Sequence, residues 1–181
     1  SEQPDGKVLM EEKPLSDVIC FPIPRPRDEP VAAERSYGPQ ESPPILSSRP
    51  GAAAVLYLDF DGETVTDPNW NSGNTIVAQP SSLTSPQITE VWNRVKEDYW
   101  PFNIDVTTDR NRYNNAPVGS RMRCIITPTD TASPGAGGVA YLNSFDKAGS
   151  WFSSTIPCWA FNSSVVGVAE AVSHELGHTF G

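Results

Sequence analysis

Proline is spread unevenly along this chain, and that unevenness most limits what the chain can fold into. Ten of the 18 prolines fall within residues 1–50, among them Pro22, Pro24, Pro26, Pro43 and Pro44, mixed with acidic residues and few periodic apolar positions. Each proline removes a backbone donor and fixes its own φ. A segment so rich in them reads as a pro-region or linker without regular structure, which leaves 51–181 as the folded unit, enough chain for one domain.

Beyond residue 50 the pattern changes to short apolar runs. Ala52 to Leu58 is a small and β-branched run that closes on Asp59-Phe60-Asp61-Gly62, as a buried strand ending in a turn would. Ser85 and Pro86 stand where an N-cap and first helical residue belong, and Ile88, Val91, Trp92, Val95 and Tyr99 then recur at three- and four-residue intervals until Pro101. Four further runs have strand composition: Asn103 to Thr108, Arg123 to Thr127, Val139 to Asn143 and Cys158 to Asn162. A second helix is expected over Val165 to Phe180, with Gly181 placed to end it in a left-handed cap. The order strand, helix, four strands, helix predicts an α/β (α+β) sandwich with a mixed five-stranded sheet and two main helices.

Charge and hydropathy exclude some partners. With 13 Lys and Arg against 22 Asp and Glu, the formal net charge is −9, which repels phosphate backbones, so nucleic acid is not an expected partner. The longest apolar run, Ala52 to Leu58, is too short to span a bilayer, and no membrane span is expected. No signal pattern of basic then apolar residues follows Ser1.

The chemistry concentrates in the last helix. The chain has two histidines, His174 and His178, four residues apart with Glu175 between them, an H-E-x-x-H pattern. Four residues is just over one helical turn, so both imidazoles leave one face and can present nitrogen to a single Zn²⁺ ion. Glu175 follows about 100° further round, where it can act as general base toward a water activated by the ion. Gly167, Glu170, Ala171 and Gly181 share the histidine face on the helical wheel, while Val168, Val172, Leu176 and Phe180 lie opposite. Such a helix is apolar behind and open in front, and the chemistry it suggests is metal-assisted amide hydrolysis.

His174-Glu175-Leu176-Gly177-His178-Thr179-Phe180-Gly181 resembles the first eight residues of the metzincin signature H-E-x-x-H-x-x-G-x-x-H. The resemblance implies a secreted zinc endopeptidase acting on a protein or peptide substrate. It implies a five-stranded sheet with two helices, and a third histidine three residues beyond Gly181. On that reading residues 51–181 are an N-terminal subdomain ending inside the motif, and the 181-residue chain is inactive by itself. In metzincins the fourth strand is an exposed edge that pairs with extended substrate. Gly138, Val139, Ala140 and Tyr141 occupy that place here.

Other residues carry alternatives. Asp59 and Asp61, after an apolar strand, resemble the first motif of haloacid-dehalogenase-type phosphatases, although Glu63 departs from it; a strand-ending turn is the plainer reading. A non-catalytic zinc module is the other rival. The metzincin-like strand order would make the strands of Cys124 and Cys158 neighbours, which leaves a disulfide open between them. Cys20 is either an unpaired linker cysteine or a latency thiolate that caps zinc.

Overall fold

The computed structural model describes Lys7, Leu9–Glu12 and residues 42–181. The chain is α+β, built on a mixed sheet of six strands. In chain order these are β1 (Leu9–Glu12), β2 (Ala54–Asp59), β5 (Ile104–Thr107), β6 (Arg121–Ile126), β7 (Gly138–Tyr141) and β8 (Pro157–Ala160). The intervening β3 (Glu63–Val65) and β4 (Ile76–Ala78) form a separate two-stranded ribbon. The sheet order is β1-β7-β8-β6-β2-β5. β8, β6, β2 and β5 run parallel, and β7 is antiparallel both to β8 and to β1.

Two long helices, α1 (Ser85–Asp98) and α4 (Val165–Phe180), pack against each other and the sheet; two short ones are α2 (Arg110–Asn115) and α3 (Ser144–Lys147). The alternation of β2 decides which face meets what. Leu56 and Leu58 enter the main core with Val91, Val95, Val168, Val172 and Leu176. Val55 and Tyr57 face the other way, onto Tyr113 and Ala116 around α2. Trp70, between β3 and β4, drops into the main core beside Tyr141 (ring centroids 4.9 Å) and Trp159 (6.1 Å). No helix of the described residues is long and apolar enough to cross a membrane.

Helix α1 begins one residue earlier than its sequence suggests. Thr84, not Ser85, is the N-cap, because Gln87 reaches back and its Oε1 accepts from the Thr84 amide at 2.9 Å. Its apolar face buries Ile88, Val91 and Val95, and Trp92 donates from Nε1 to the Val106 carbonyl at 2.9 Å.

The expected five strands are all present, and the sixth, β1, comes from the proline-rich segment. Its pairing sets Leu9 opposite Tyr141, Met10 opposite Ala140, Glu11 opposite Val139 and Glu12 opposite Gly138. A second piece of 1–50 is also part of the fold. The buried Asp105 carboxylate accepts from the Ser47 hydroxyl (2.8 Å) and from the Ser48 and Arg49 amides (3.0 Å each), and Arg112 Nε donates to it at 3.1 Å. A buried carboxylate needs such donors to offset its lost hydration, and here they tie residues 47–49 to β5.

Candidate functional site

Helix α4 starts at the Ser164 N-cap, whose Oγ accepts from the Gly167 amide at 3.1 Å. Val168, Ala169, Val172 and Leu176 bury its inner side. Glu170, His174 and Gly177 are exposed along the outer side, with His178 half-buried. Two expectations from the helical wheel change. Gly167 is buried, its missing side chain making room for Ser164 Oγ, 2.9 Å from where a Cβ would stand. Phe180 is 41% exposed rather than part of the apolar back, because it lies at the helix end, packed against Phe145 (ring centroids 4.5 Å, planes tilted by 33°).

The imidazoles of His174 and His178 converge. Their Nε2 atoms are 2.8 Å apart and the rings stand nearly perpendicular, at 87°. One Nε2 donates and the other accepts, the tautomers deciding which. Nitrogens on a tetrahedral zinc, each about 2.0–2.1 Å from the ion, stand about 3.3 Å apart. Opening the pair by about half an ångström therefore fits the ion, with two protein ligands. Among the described residues no set of three or more His, Cys, Asp or Glu side chains gathers to hold a metal.

The carbonyl of His178 lies in the last turn, where helix carbonyls lack intrahelical donors. It accepts from the Asn143 amide and the Gly181 amide, both at 3.2 Å. Asn143 sits at φ 58°, a left-handed conformation that asparagine tolerates. Gly181, at φ 116°, ends the helix as its sequence position suggests; a Cβ there would stand 2.6 Å from Asn143 Oδ1. At the other side of the pair, Tyr99 donates from its hydroxyl to the Ser173 carbonyl at 2.8 Å, and the Ser173 hydroxyl donates to Asp98 at 2.6 Å. Asn143 and Tyr99 thus brace the turn bearing both imidazoles, a role that nothing in their sequence spacing announced.

Glu175 is the largest departure from expectation at the site. It was expected on the open side beside the ligands, yet its side chain has no exposed surface. The 100° step from His174 turns it under β7, and the seat exists because position 138 is glycine. A Cβ on Gly138 would stand 2.6 Å from Glu175 Oε1 and 2.7 Å from its Cγ. Gly138 therefore acts as the space the carboxylate fills, beyond its expected place on an edge strand.

Gly138, Val139, Ala140 and Tyr141 are correctly placed as β7, but β7 is not a free edge. All four are buried, and β1 pairs along their whole length. Leu9, buried at 7% exposure, belongs to the same apolar cluster as Tyr141. Lys7 donates to Asn69 Oδ1 at 2.7 Å and lies over the Phe152 ring at 4.9 Å.

Cys124 and Cys158 are cross-strand partners on β6 and β8, as neighbouring strands require, but both are free thiols and no disulfide joins them. In-register neighbours on adjacent strands sit about 4.8 Å apart, toward the short end of the range a disulfide spans. Burial, then the hydrogen bond with Cys124, pushes the Cys158 thiol well above its ordinary value, which keeps it protonated. Cys20 lies outside the described residues.

Asp59 and Asp61, the alternative pair, lie at the end of β2 with Glu63. Glu63 Oε2 accepts from Arg110 Nη1 and Arg123 Nη1, both at 2.6 Å, and Asp59 Oδ2 is 3.4 Å from Arg110 and 3.7 Å from Arg123. Three carboxyl groups face two guanidiniums, so one proton balances the charge. Asp59 holds it. Burial, then its hydrogen bond with Asp61, pushes the Asp59 carboxyl up to about 8. Asp61 is also raised by burial, but that bond and the Arg110 charge outweigh the burial and leave it below the ordinary carboxylate range. A protonated carboxyl without exposed surface is poorly suited to attack a phosphate; the cluster reads as a strut joining β2, β6 and α2. A small cleft of about 220 Å³ beside it is lined by Tyr57, Asp61, Thr108, Arg110 and their neighbours.

No family model matches the chain, and no curated protein or solved structure does either.

Proposed function

We propose that this chain is the zinc-binding part of a secreted endopeptidase of metzincin type. The observation that carries the reading is the meeting of His174 and His178 Nε2 on an exposed helix face, with the Glu175 carboxylate one residue on. The sheet supports it. Counting only the five strands expected from the sequence, the third and fifth are neighbours and the fourth is outermost, as the resemblance implies.

His174 and His178 would hold the ion, with a third ligand drawn from a segment following Gly181. A zinc ion there would supply a Lewis acid that polarises a peptide carbonyl and acidifies a water. Glu175, seated under β7 in the space at Gly138, would be the residue to take a proton from such a water and return it to the leaving amine, once its carboxylate turns toward the histidine face. β7 lies over Glu175 and would orient an extended polypeptide by strand pairing only with its β1 side vacated, so the proposed substrate is a protein or peptide in extended form.

Zinc uptake tests this reading. Equilibrium dialysis should show specific zinc on the parent chain that His174→Ala/His178→Ala loses. Equal uptake by both proteins would remove the site. Hydrolysis of an unfolded protein substrate, abolished by a chelator, should appear in a chain that continues past Gly181.

A further inference from the structure

We infer that the cleft beyond the carboxyl ends of β2 and β5 is a binding site for a free amino acid with an apolar side chain. The inference goes beyond the proposed function and is independent of zinc.

The cleft, about 220 Å³, lies where Phe60 and Asp61 follow β2 and Thr108 to Asn111 follow β5, with Pro43 and Ile45 on its wall. β2 and β5 are parallel neighbours, and in parallel sheets small ligands settle outside the carboxyl ends of the strands. Pockets for drug-sized molecules run to roughly 300–1,000 Å³, so the occupant here is smaller.

Tyr57 points to a ligand with an acceptor oxygen. The residue is 2% exposed, it lines the cleft, and its hydroxyl donates to no acceptor among the described residues. Burial raises the phenol well above its ordinary value, so the proton stays and only an acceptor satisfies it. Arg110 lies over the same ring, its guanidinium carbon 5.8 Å from the centroid. Its Nη1 is held by Glu63 at 2.6 Å, while Nη2 makes only long contacts, 3.4 Å to Asp59 and 3.5 Å to Asp61. A carboxylate there would accept from Tyr57 and from Arg110 Nη2 together.

A simple anion does not suit the site. With Asp59 protonated, the carboxylates of Asp61, Glu63 and Asp109 outnumber the guanidiniums of Arg110 and Arg123, so the surroundings carry no positive excess. A ligand carboxylate must bring its own cation. Asp61 and Asp109 line the cleft as acceptors for an ammonium. The Asp61 side chain is 49% exposed, and Asp109 uses Oδ1 to accept from the Asn111 amide at 2.9 Å and keeps Oδ2. The remaining wall is apolar. Ile45 is 77% exposed beside the cleft, an aliphatic surface that a ligand side chain would cover. Carboxylate, ammonium and apolar side chain on one small molecule describe an α-amino acid.

Isothermal titration calorimetry with L-leucine as the probe tests this, in the presence of a chelator so that no metal retains the amino acid. We expect saturable binding to the parent chain. N-acetylleucine lacks the ammonium, leucinamide the carboxylate and glycine the side chain, and each should bind at least about tenfold more weakly. Tyr57→Phe removes only the hydroxyl oxygen and should bind leucine about tenfold more weakly. Ile45→Ser, at an exposed position, should bring leucine down toward glycine. The absence of saturable heat from leucine with the parent overturns the inference. So does binding of any of the three analogues as tight as that of leucine, or undiminished leucine binding to either variant. Zinc uptake by His174 and His178 is untouched by these outcomes, so this inference and the peptidase reading fail separately.

Discussion

Gly138 and Glu175 occupy one space: a Cβ on the glycine would stand 2.6 Å from the carboxylate oxygen Oε1. The contact joins the strand proposed to orient substrate to the residue proposed to move its proton. It makes the position of the base depend on a backbone separated from it in sequence by α3 and β8.

Gly138→Ala should therefore act on Glu175 first. The added methyl cannot be accommodated unless the carboxylate swings aside, since contacts under 3.0 Å force a shift. In a zinc-loaded, chain-extended form we expect kcat to fall by at least about tenfold, with zinc affinity within about twofold of the parent because the imidazoles do not move. A variant with parental kcat would show that Glu175 does not need this seat.

Glu175→Gln removes the base while keeping its volume. Turnover should drop by about a hundredfold or more, and calorimetric zinc binding should persist. Near-parental turnover would exclude Glu175 as the base. Loss of zinc along with turnover would point to a ligand role instead.

Much of this was legible in the sequence because it depends on local periodicity. The helices α1 and α4 and strands β2, β5, β6, β7 and β8 follow from apolar spacing and turn residues, and the histidine pair follows from four-residue spacing on one helix. What was not legible depends on non-local packing. Leu9–Glu12 has no signature apart from its partner β7, and the proline-rich surroundings argued against any strand. The ribbon β3–β4 is too short to show alternation. Glu175 reads as solvent-facing on a wheel that knows nothing of β7, and Phe180 reads as core on a wheel that ignores where the sheet ends.

That last contrast is measurable. Leu176 has no exposed surface and Phe180 is 41% exposed, though both sit on the apolar side of the wheel. Leu176→Ala should cost about 2–5 kcal/mol, from lost burial and the cavity it leaves. Phe180→Ala should cost no more than about 1.5 kcal/mol, mainly its contact with Phe145. Urea denaturation of the two variants decides it. Equal losses would mean that the end of α4 is packed as tightly as its middle.

The Asp59 cluster predicts a pH dependence of stability whose sign can be worked out. The Asp59 carboxyl rises from its ordinary 3.8 in the unfolded chain to about 8 in the fold. Between those values the folded chain binds a proton that the unfolded chain has released. Raising the pH therefore favours unfolding: the contribution is fully present below about pH 4 and is lost progressively up to about pH 8. Asp61 and Glu63 are held below their ordinary values, so their contributions are present above that range and are lost only as the pH falls under it. From pH 5 to 8 the slope from this cluster comes from Asp59 alone. We expect the Tm of the parent chain to fall by roughly 10 °C across that window. Asp59→Asn presents a neutral group of the same shape to Arg110, Arg123 and Asp61, so its Tm should change much less from pH 5 to 8 and should exceed the parent's at pH 8. Thermal melts at half-unit pH steps read both slopes. Parallel curves for parent and variant would show that Asp59 is ionised in the fold and that the proton balancing the three carboxyl groups sits elsewhere.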